Sequence, residues 1–137
     1  MRGAPVEVLR RVPLFADLNT REVEKIARLF KERRFSEGET VVREGSGGAA
    51  FFLIDSGQAT VSVGGKDRGT LEPGDYFGEI SLIDKGARSA TVTASSDLVC
   101  YGLTFWDFRP LVQENAAIGW KLLQSLAKKL RVAEKDD

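Results

Sequence analysis

The 137-residue sequence contains no histidine and only one cysteine, Cys100. The missing histidine excludes imidazole acid–base chemistry, and together with the single cysteine it excludes a Cys/His zinc site and an internal disulfide. Cys100 stands in an apolar run, Leu98–Tyr101, which predicts a small buried core residue. No metal site, enzyme cofactor or catalytic residue is therefore predicted.

The sequence also has no excess of charge and no long apolar run. Twenty basic residues balance twenty acidic ones, which is not the composition of a dedicated nucleic-acid binder. No apolar stretch approaches the ~20 residues that span a bilayer, and the charged N-terminal segment does not resemble a signal peptide. We expect a cytoplasmic protein with no nucleic-acid partner and no membrane insertion.

What is present falls into three regions of one predicted domain, residues 1–137. Apolar residues recur at helical spacing over 1–32 and again over 104–137. Between them, residues 33–103 form short β-branched and aromatic segments separated by glycine, which is typical of an antiparallel roll or barrel. The segments predicted as strands are Thr40–Arg43, Phe51–Asp55, Ala59–Val63, Arg68–Leu71, Ala90–Ala94 and Leu98–Leu103.

Two helices are predicted after the strands. Thr104 is a suitable cap for a short helix over Phe105–Gln113, and a longer helix runs from about Ala116 to Val132. Its apolar stripe includes Trp120 and Leu123. Burial in the core is the favoured interpretation of that stripe. A lid over a ligand and a homodimer contact through this C-terminal helix are the alternatives.

The segment 77–92 combines groups suited to a sugar phosphate. Glycine followed by about one helical turn, Glu79 to Leu82, offers free backbone N–H groups to an anion. Arg88 adds a guanidinium that can bind two phosphate oxygens, and Ser89 adds a hydroxyl. Glu79 cannot bind phosphate, but it can accept a hydrogen bond from a ribose hydroxyl. A structural ion pair between Glu79 and Arg88 is the alternative.

The run FGEISLIDKGARSATVTA resembles the phosphate-binding cassette of the cyclic nucleotide-binding domain family, which includes catabolite activator protein and cyclic-nucleotide-dependent kinases and channels. VPLFADLNTREVEKIARLFKERRFSEGETVVREG and FFLIDSGQATVSV are similar to its N-terminal helices, first strands and central hairpin. The resemblance implies a mostly β fold: an eight-stranded antiparallel β-roll, or jelly roll, with N-terminal helices before it and two C-terminal helices after it.

The resemblance also implies roles for individual residues. Glu79 would accept from the ribose 2′-OH, Arg88 would pair with the cyclic phosphate, and Ala90 would line the pocket near the base. The C-terminal helix would swing over the ligand and pack on the purine. The full predicted ligand-binding set is Phe77, Gly78, Glu79, Ile80, Ser81, Arg88, Ser89 and Ala90.

The sequence departs from the family pattern at two places near Arg88. Ala87 stands where many members have proline, and the loop Ser46–Ala49 lacks the acidic residues that often orient the arginine. Arg88 is therefore expected to be less preorganised than in those members.

We predict a regulatory sensor for a cyclic purine nucleotide; cyclic AMP is preferred over cyclic GMP because the run Arg88-Ser89-Ala90 resembles family members that bind cyclic AMP. It would act on an effector protein or a fused output domain. A ligand-free interaction domain of the same fold is the alternative. A cupin-like enzyme and a DNA-binding protein are less favoured, since the chain lacks histidine ligands and a helix-turn-helix.

Overall fold

The computed structural model describes residues 3–47 and 50–135. In this part of the chain, eight strands form two antiparallel four-stranded sheets, one in the order β1-β8-β3-β6 and the other in the order β2-β7-β4-β5. The predicted eight-stranded antiparallel roll is confirmed. The strands are β1 Lys31–Phe35, β2 Thr40–Val42, β3 Ala50–Ser56, β4 Ala59–Val63, β5 Lys66–Leu71, β6 Tyr76–Phe77, β7 Thr91–Ala94 and β8 Leu98–Thr104.

One apolar cluster lies within the roll. Its members come from strands β3, β4, β7 and β8, where alternate residues of a strand point to the same face. Burial there raises the pKa of the Cys100 thiol to about 11, with a smaller opposing effect of Arg33. The predicted burial of Cys100 in the core is confirmed. The buried members are Phe52, Ile54, Ala59, Val92, Ala94, Leu98 and Cys100.

A second cluster joins the roll to the helices. The N-terminal elements are α1 Val6–Leu9, a 3₁₀ turn Pro13–Phe15 and α2 Thr20–Ala27. Asn19 caps α2: its side chain accepts a hydrogen bond from the Glu22 backbone amide, and the Glu22 carboxylate accepts one from the Asn19 backbone amide. The apolar side chains of α2 and of the residues on either side of it are buried in the same cluster as Phe51 and Leu53 of β3: Leu14, Phe15, Leu18, Val23, Ile26, Ala27 and Phe30.

Strand β3 belongs to both clusters. Phe51 and Leu53 pack in the helical cluster, whereas Phe52 and Ile54 pack in the cluster of the roll. All four residues are at most 4% exposed. The continuous apolar run, without the polar alternation of a surface strand, is the sequence signal of a strand covered on both faces.

The structure corrects the N-terminal boundary. Strand β1 begins at Lys31, so residues 31 and 32, assigned to the helical region, belong to the sheet. The strand Lys-Glu-Arg-Arg-Phe was not among the predicted strands, because four of its five residues are exposed and it has no apolar alternation. It is an edge strand, and charge protects such an edge from pairing with another chain.

Three helices complete the fold: α3 Ser81–Asp84, α4 Phe105–Glu114 and α5 Ala116–Lys135. Thr104 caps α4 as predicted, accepting from the Asp107 amide. The core interpretation is wrong for Trp120 and Leu123 of the α5 stripe, which are 64% and 57% exposed. The inward face of α5 is instead formed by Ile118, Leu122 and Ser125.

Within residues 3–47 and 50–135, no helix has the length and apolar character needed to cross a membrane. The same residues contain no group of three or more His, Cys, Asp or Glu side chains placed to hold a metal ion.

Candidate functional site

A cavity of about 340 Å³ lies between the segment 77–92 and strands of the second sheet. All eight residues predicted to bind ligand line it: Phe77, Gly78, Glu79, Ile80, Ser81, Arg88, Ser89 and Ala90. The structure thus brings the predicted residues together around one space, although they span both sides of α3.

Arg88 is the distinctive side chain of this cavity. It is 9% exposed. One terminal nitrogen, Nη2, donates to the Ala50 carbonyl, and Nη1 lies 3.5 Å from the Ser81 hydroxyl oxygen. Nε has no partner, and within the described residues no carboxylate lies at ion-pair distance from the guanidinium. Burial therefore lowers the pKa of Arg88 without a compensating anion.

The Arg88 backbone is fixed by the neighbouring loop. Its N–H donates to the Ser46 carbonyl at 2.9 Å, and its own carbonyl accepts from the Gly45 amide at 2.9 Å. An isolated bridge between Gly47 and Ala87 extends this pairing. Backbone bonds therefore position Arg88 where the loop supplies no acidic side chain. Gly48 and Ala49, which complete the predicted loop, lie outside the described residues.

Gly78 allows the guanidinium to approach the backbone. Its φ of +85° is in a region that residues with a Cβ rarely adopt. A Cβ at this position would also clash with Arg88 Nη1 and lie 2.7 Å from the Ala50 oxygen. Glycine is required here both for the turn and for the space that Arg88 occupies.

The short helix begins later than expected. It covers Ser81–Asp84 rather than Glu79 to Leu82, and the Ser81 amide already donates to the Gly78 carbonyl at 3.0 Å. The backbone N–H groups available to an anion therefore lie in the turn that precedes the helix. Among the described residues, the N–H groups of Glu79 and Ile80 have no hydrogen-bond acceptor.

Glu79 does not pair with Arg88, which argues against a structural ion pair between them. The Glu79 side chain is 17% exposed, and its Oε2 lies 3.6 Å from the ammonium of Lys129 on α5. Burial and the nearby Glu79 charge raise the pKa of Tyr76. The carboxylate and the guanidinium thus line the same cavity, yet each remains available to a ligand.

The far wall of the cavity is apolar. Val42, Val61, Leu71 and Val92 line it, and they come from β2, β4, β5 and β7. None of these four residues is in the predicted ligand-binding set. Alternation along β4 marks Val61 as inward-facing, but alternation does not distinguish a ligand wall from ordinary core.

A roll that buries an arginine with no anion beside it, next to a separate carboxylate and an apolar wall, is a binding domain for a small anionic ligand with an apolar end. The chain belongs to the cyclic nucleotide-binding domain family, whose model matches residues 32–115. The resemblance seen in the sequence is confirmed. This family is regulatory and non-enzymatic.

Individual relatives agree with this assignment. A cAMP-dependent protein kinase regulatory subunit from Yarrowia lipolytica is 40% identical over 66% of this chain. A cGMP-dependent protein kinase from Toxoplasma gondii is 36% identical over 71% of it. The N-terminal domain of a transcriptional regulator from Streptomyces coelicolor A3(2) superimposes with a TM-score of 0.85 at 27% identity, covering 94% of both chains. The matched regions span 24% and 10% of the two kinase proteins.

Proposed function

We propose that this protein is a non-catalytic sensor that binds a cyclic purine nucleotide, with cyclic AMP preferred over cyclic GMP. The buried, uncompensated guanidinium of Arg88 carries the proposal, since desolvating a cation without a counter-charge costs several kcal/mol. A phosphodiester in the cavity would supply the missing anion and accept a hydrogen bond from Arg88 Nε.

The other residues of the cavity bind different parts of the nucleotide. Glu79 accepts from the ribose 2′-OH, and the free N–H groups of Glu79 and Ile80 donate to phosphate oxygens. Ser89 assists as a hydroxyl donor. The apolar wall of Val42, Val61, Leu71 and Val92 receives the purine with Ala90 at its edge. The end of the cavity that receives the phosphate is formed by Phe77, Gly78 and Ser81.

The preference for cyclic AMP rests on the sequence Arg88-Ser89-Ala90. It is also supported by the two kinase relatives described above, of which the cAMP-dependent one is more identical to this chain than the cGMP-dependent one. The apolar wall carries no side-chain donor or acceptor. Discrimination then depends on few hydrogen bonds, each worth about 1 kcal/mol. We therefore expect a modest selectivity rather than exclusion of cyclic GMP.

Signalling would pass through α5. An apolar groove of about 400 Å³, lined by Leu82, Phe108 and Leu122 among others, separates α5 from α3 and α4. Capture of phosphate beside α3 would draw that helix inward and let α5 repack across the groove. An effector protein or a fused output domain would read the movement, which requires a differential affinity for the two states.

We further propose that the exposed face of α5 pairs with a second copy of the chain. Trp120, Leu123 and Leu130 are each more than half exposed on this helix. Large apolar side chains grouped on one face of a helix favour a partner. Light scattering should give twice the monomer mass, and Trp120→Glu should return the monomer. A monomer at high wild-type concentration contradicts the dimer.

Calorimetry tests the sensor. Wild-type protein is titrated with cyclic AMP, cyclic GMP and 5′-AMP, the last being a matched control with an open phosphate. We expect saturable one-to-one binding of both cyclic nucleotides, tighter for cyclic AMP, and much weaker binding of 5′-AMP. If neither cyclic AMP nor cyclic GMP binds, the proposal is refuted and the ligand-free interaction domain remains as the alternative.

A further inference from the structure

The cavity has a charge imbalance that its lining residues do not correct. The charged side chains that line it are Glu79, Asp84 and Arg88, which together carry one net negative charge. A cyclic nucleotide adds another, because its phosphodiester is anionic. Two carboxylates and a phosphate would then lie around a single guanidinium; solvent screens the exposed Asp84, so the half-buried Glu79 is the carboxylate whose charge matters more to the phosphate.

The ammonium of Lys129, which lies outside the segment 77–92, is close to this cavity. Lys129 lies on α5, and its ammonium is 3.6 Å from Glu79 Oε2. Lys129 does not line the cavity, so a ligand that occupies the cavity need not displace it. Its side chain is 40% exposed and that of Glu79 17%, which places the pair at the cavity edge rather than in bulk solvent.

Two further contacts hold α5 where Lys129 reaches Glu79. Lys121 Nζ lies 2.7 Å from the Glu22 carboxylate on α2, and Lys128 Nζ lies 2.9 Å from Asp17 beside the 3₁₀ turn. Successive residues of a helix point about 100° apart. Lys128 and Lys129 therefore contact different elements, the N-terminal region and the cassette.

We propose that Lys129 is a positioning residue of the ligand site: its ammonium neutralises and orients the Glu79 carboxylate so that the ribose and the phosphate of a cyclic nucleotide can bind together. This inference rests on the proposed function. It makes α5 a contributor to ribose recognition, so nucleotide binding strengthens the contact between α5 and the cassette.

Calorimetry with cyclic AMP tests the inference in a double-mutant cycle. Lys129→Gln should weaken binding by about three- to fivefold, and Lys129→Arg should restore it to within about twofold. In a Glu79→Gln background, Lys129→Gln should change affinity by less than about twofold, because its target is already neutral. Arg131→Gln removes an exposed charge from the same helix and serves as the matched control.

Three results at Lys129 and Arg131 overturn the inference. They are unchanged binding by Lys129→Gln, an equal loss by Arg131→Gln, or an equal loss from Lys129→Gln in both backgrounds, which would indicate long-range attraction to phosphate. Lys128→Gln, which frees Asp17, reports what loosening α5 does alone; a loss as large as that of Lys129→Gln also counts against it. If the wild type binds no cyclic nucleotide, the proposed function fails first and this inference with it.

Discussion

Replacing Arg88 by methionine should separate binding from stability. Methionine fills a similar space without charge. The substitution removes the one guanidinium of the cavity, its bond to the Ala50 carbonyl and its 3.5 Å contact with Ser81. Because the guanidinium would bind phosphate while its burial opposes folding, we expect the affinity for cyclic AMP to fall and the stability of the free protein to rise.

The expected loss of affinity is large. Removing one member of a buried, hydrogen-bonded charge pair costs about 2–5 kcal/mol, which corresponds to a factor of about 30 to several thousand in Kd. Calorimetry with cyclic AMP measures this directly. Binding within about threefold of the wild type would refute the assignment of Arg88 to the phosphate.

The nucleotide-free protein should become slightly more stable. The wild type desolvates a guanidinium at a cost of several kcal/mol, and its hydrogen bond to the Ala50 carbonyl, worth about 1.5–3 kcal/mol, offsets only part of that cost. We expect the free energy of unfolding to rise by about 1 kcal/mol, or Tm by about 3 °C.

Denaturant unfolding of the free protein measures the change. A loss of more than about 2 kcal/mol would make Arg88 structural and contradict the argument. Arg33→Met is the control, since Arg33 lies over the rings of Phe35 and Phe52, away from the cavity. It should leave nucleotide binding unchanged.

Three further predictions concern the supports of the site. Gly78→Ala should weaken cyclic AMP binding at least as much as loss of the guanidinium, because the added methyl takes the place of Arg88 Nη1; a normal affinity would show that the turn adapts. Ser125→Ala should raise the free energy of unfolding by about 1 kcal/mol, since the Ser125 hydroxyl is buried without a partner, and a decrease in urea titrations would indicate a hidden bond. Burial raises the pKa of Glu22, but hydrogen bonds from Lys121 and Asn19 outweigh this effect and hold the pKa below 4.5. The resulting stabilisation is present above pH 4.5 and is lost as the pH falls through the lowered pKa. In Glu22→Gln the free energy of unfolding should therefore fall less steeply with decreasing pH in this range than in the wild type.

The segment 77–92 could be predicted because its chemistry is local. Glycine, glutamate and arginine at fixed spacing indicate a sugar-phosphate site wherever the chain places them, and the structure gathers all eight predicted residues around one cavity. Their roles in binding remain predictions. The glycine-separated strands were predictable for a similar reason, since the alternation and the turns lie within a few residues of one another.

What escaped prediction depends on tertiary position. The charged strand β1 pairs with β8 through its backbone, and no side-chain pattern marks that edge. Trp120 lies on an apolar stripe of α5, but Ile118 and Leu122 on another face form the contact with the core. The contact between Lys129 and Glu79 joins residues 50 positions apart, and only the packing of α5 brings them together.

Strand β3 has a practical consequence for anyone dividing this chain. The family model begins at residue 32, yet Phe51 contacts Phe15 and Phe30, which precede that boundary. A fragment that starts there would present bare aromatic rings to water along one side of the sheet, and such patches drive aggregation. The smallest piece suitable for ligand studies therefore retains the N-terminal helices, even though they contribute no residue to the cavity.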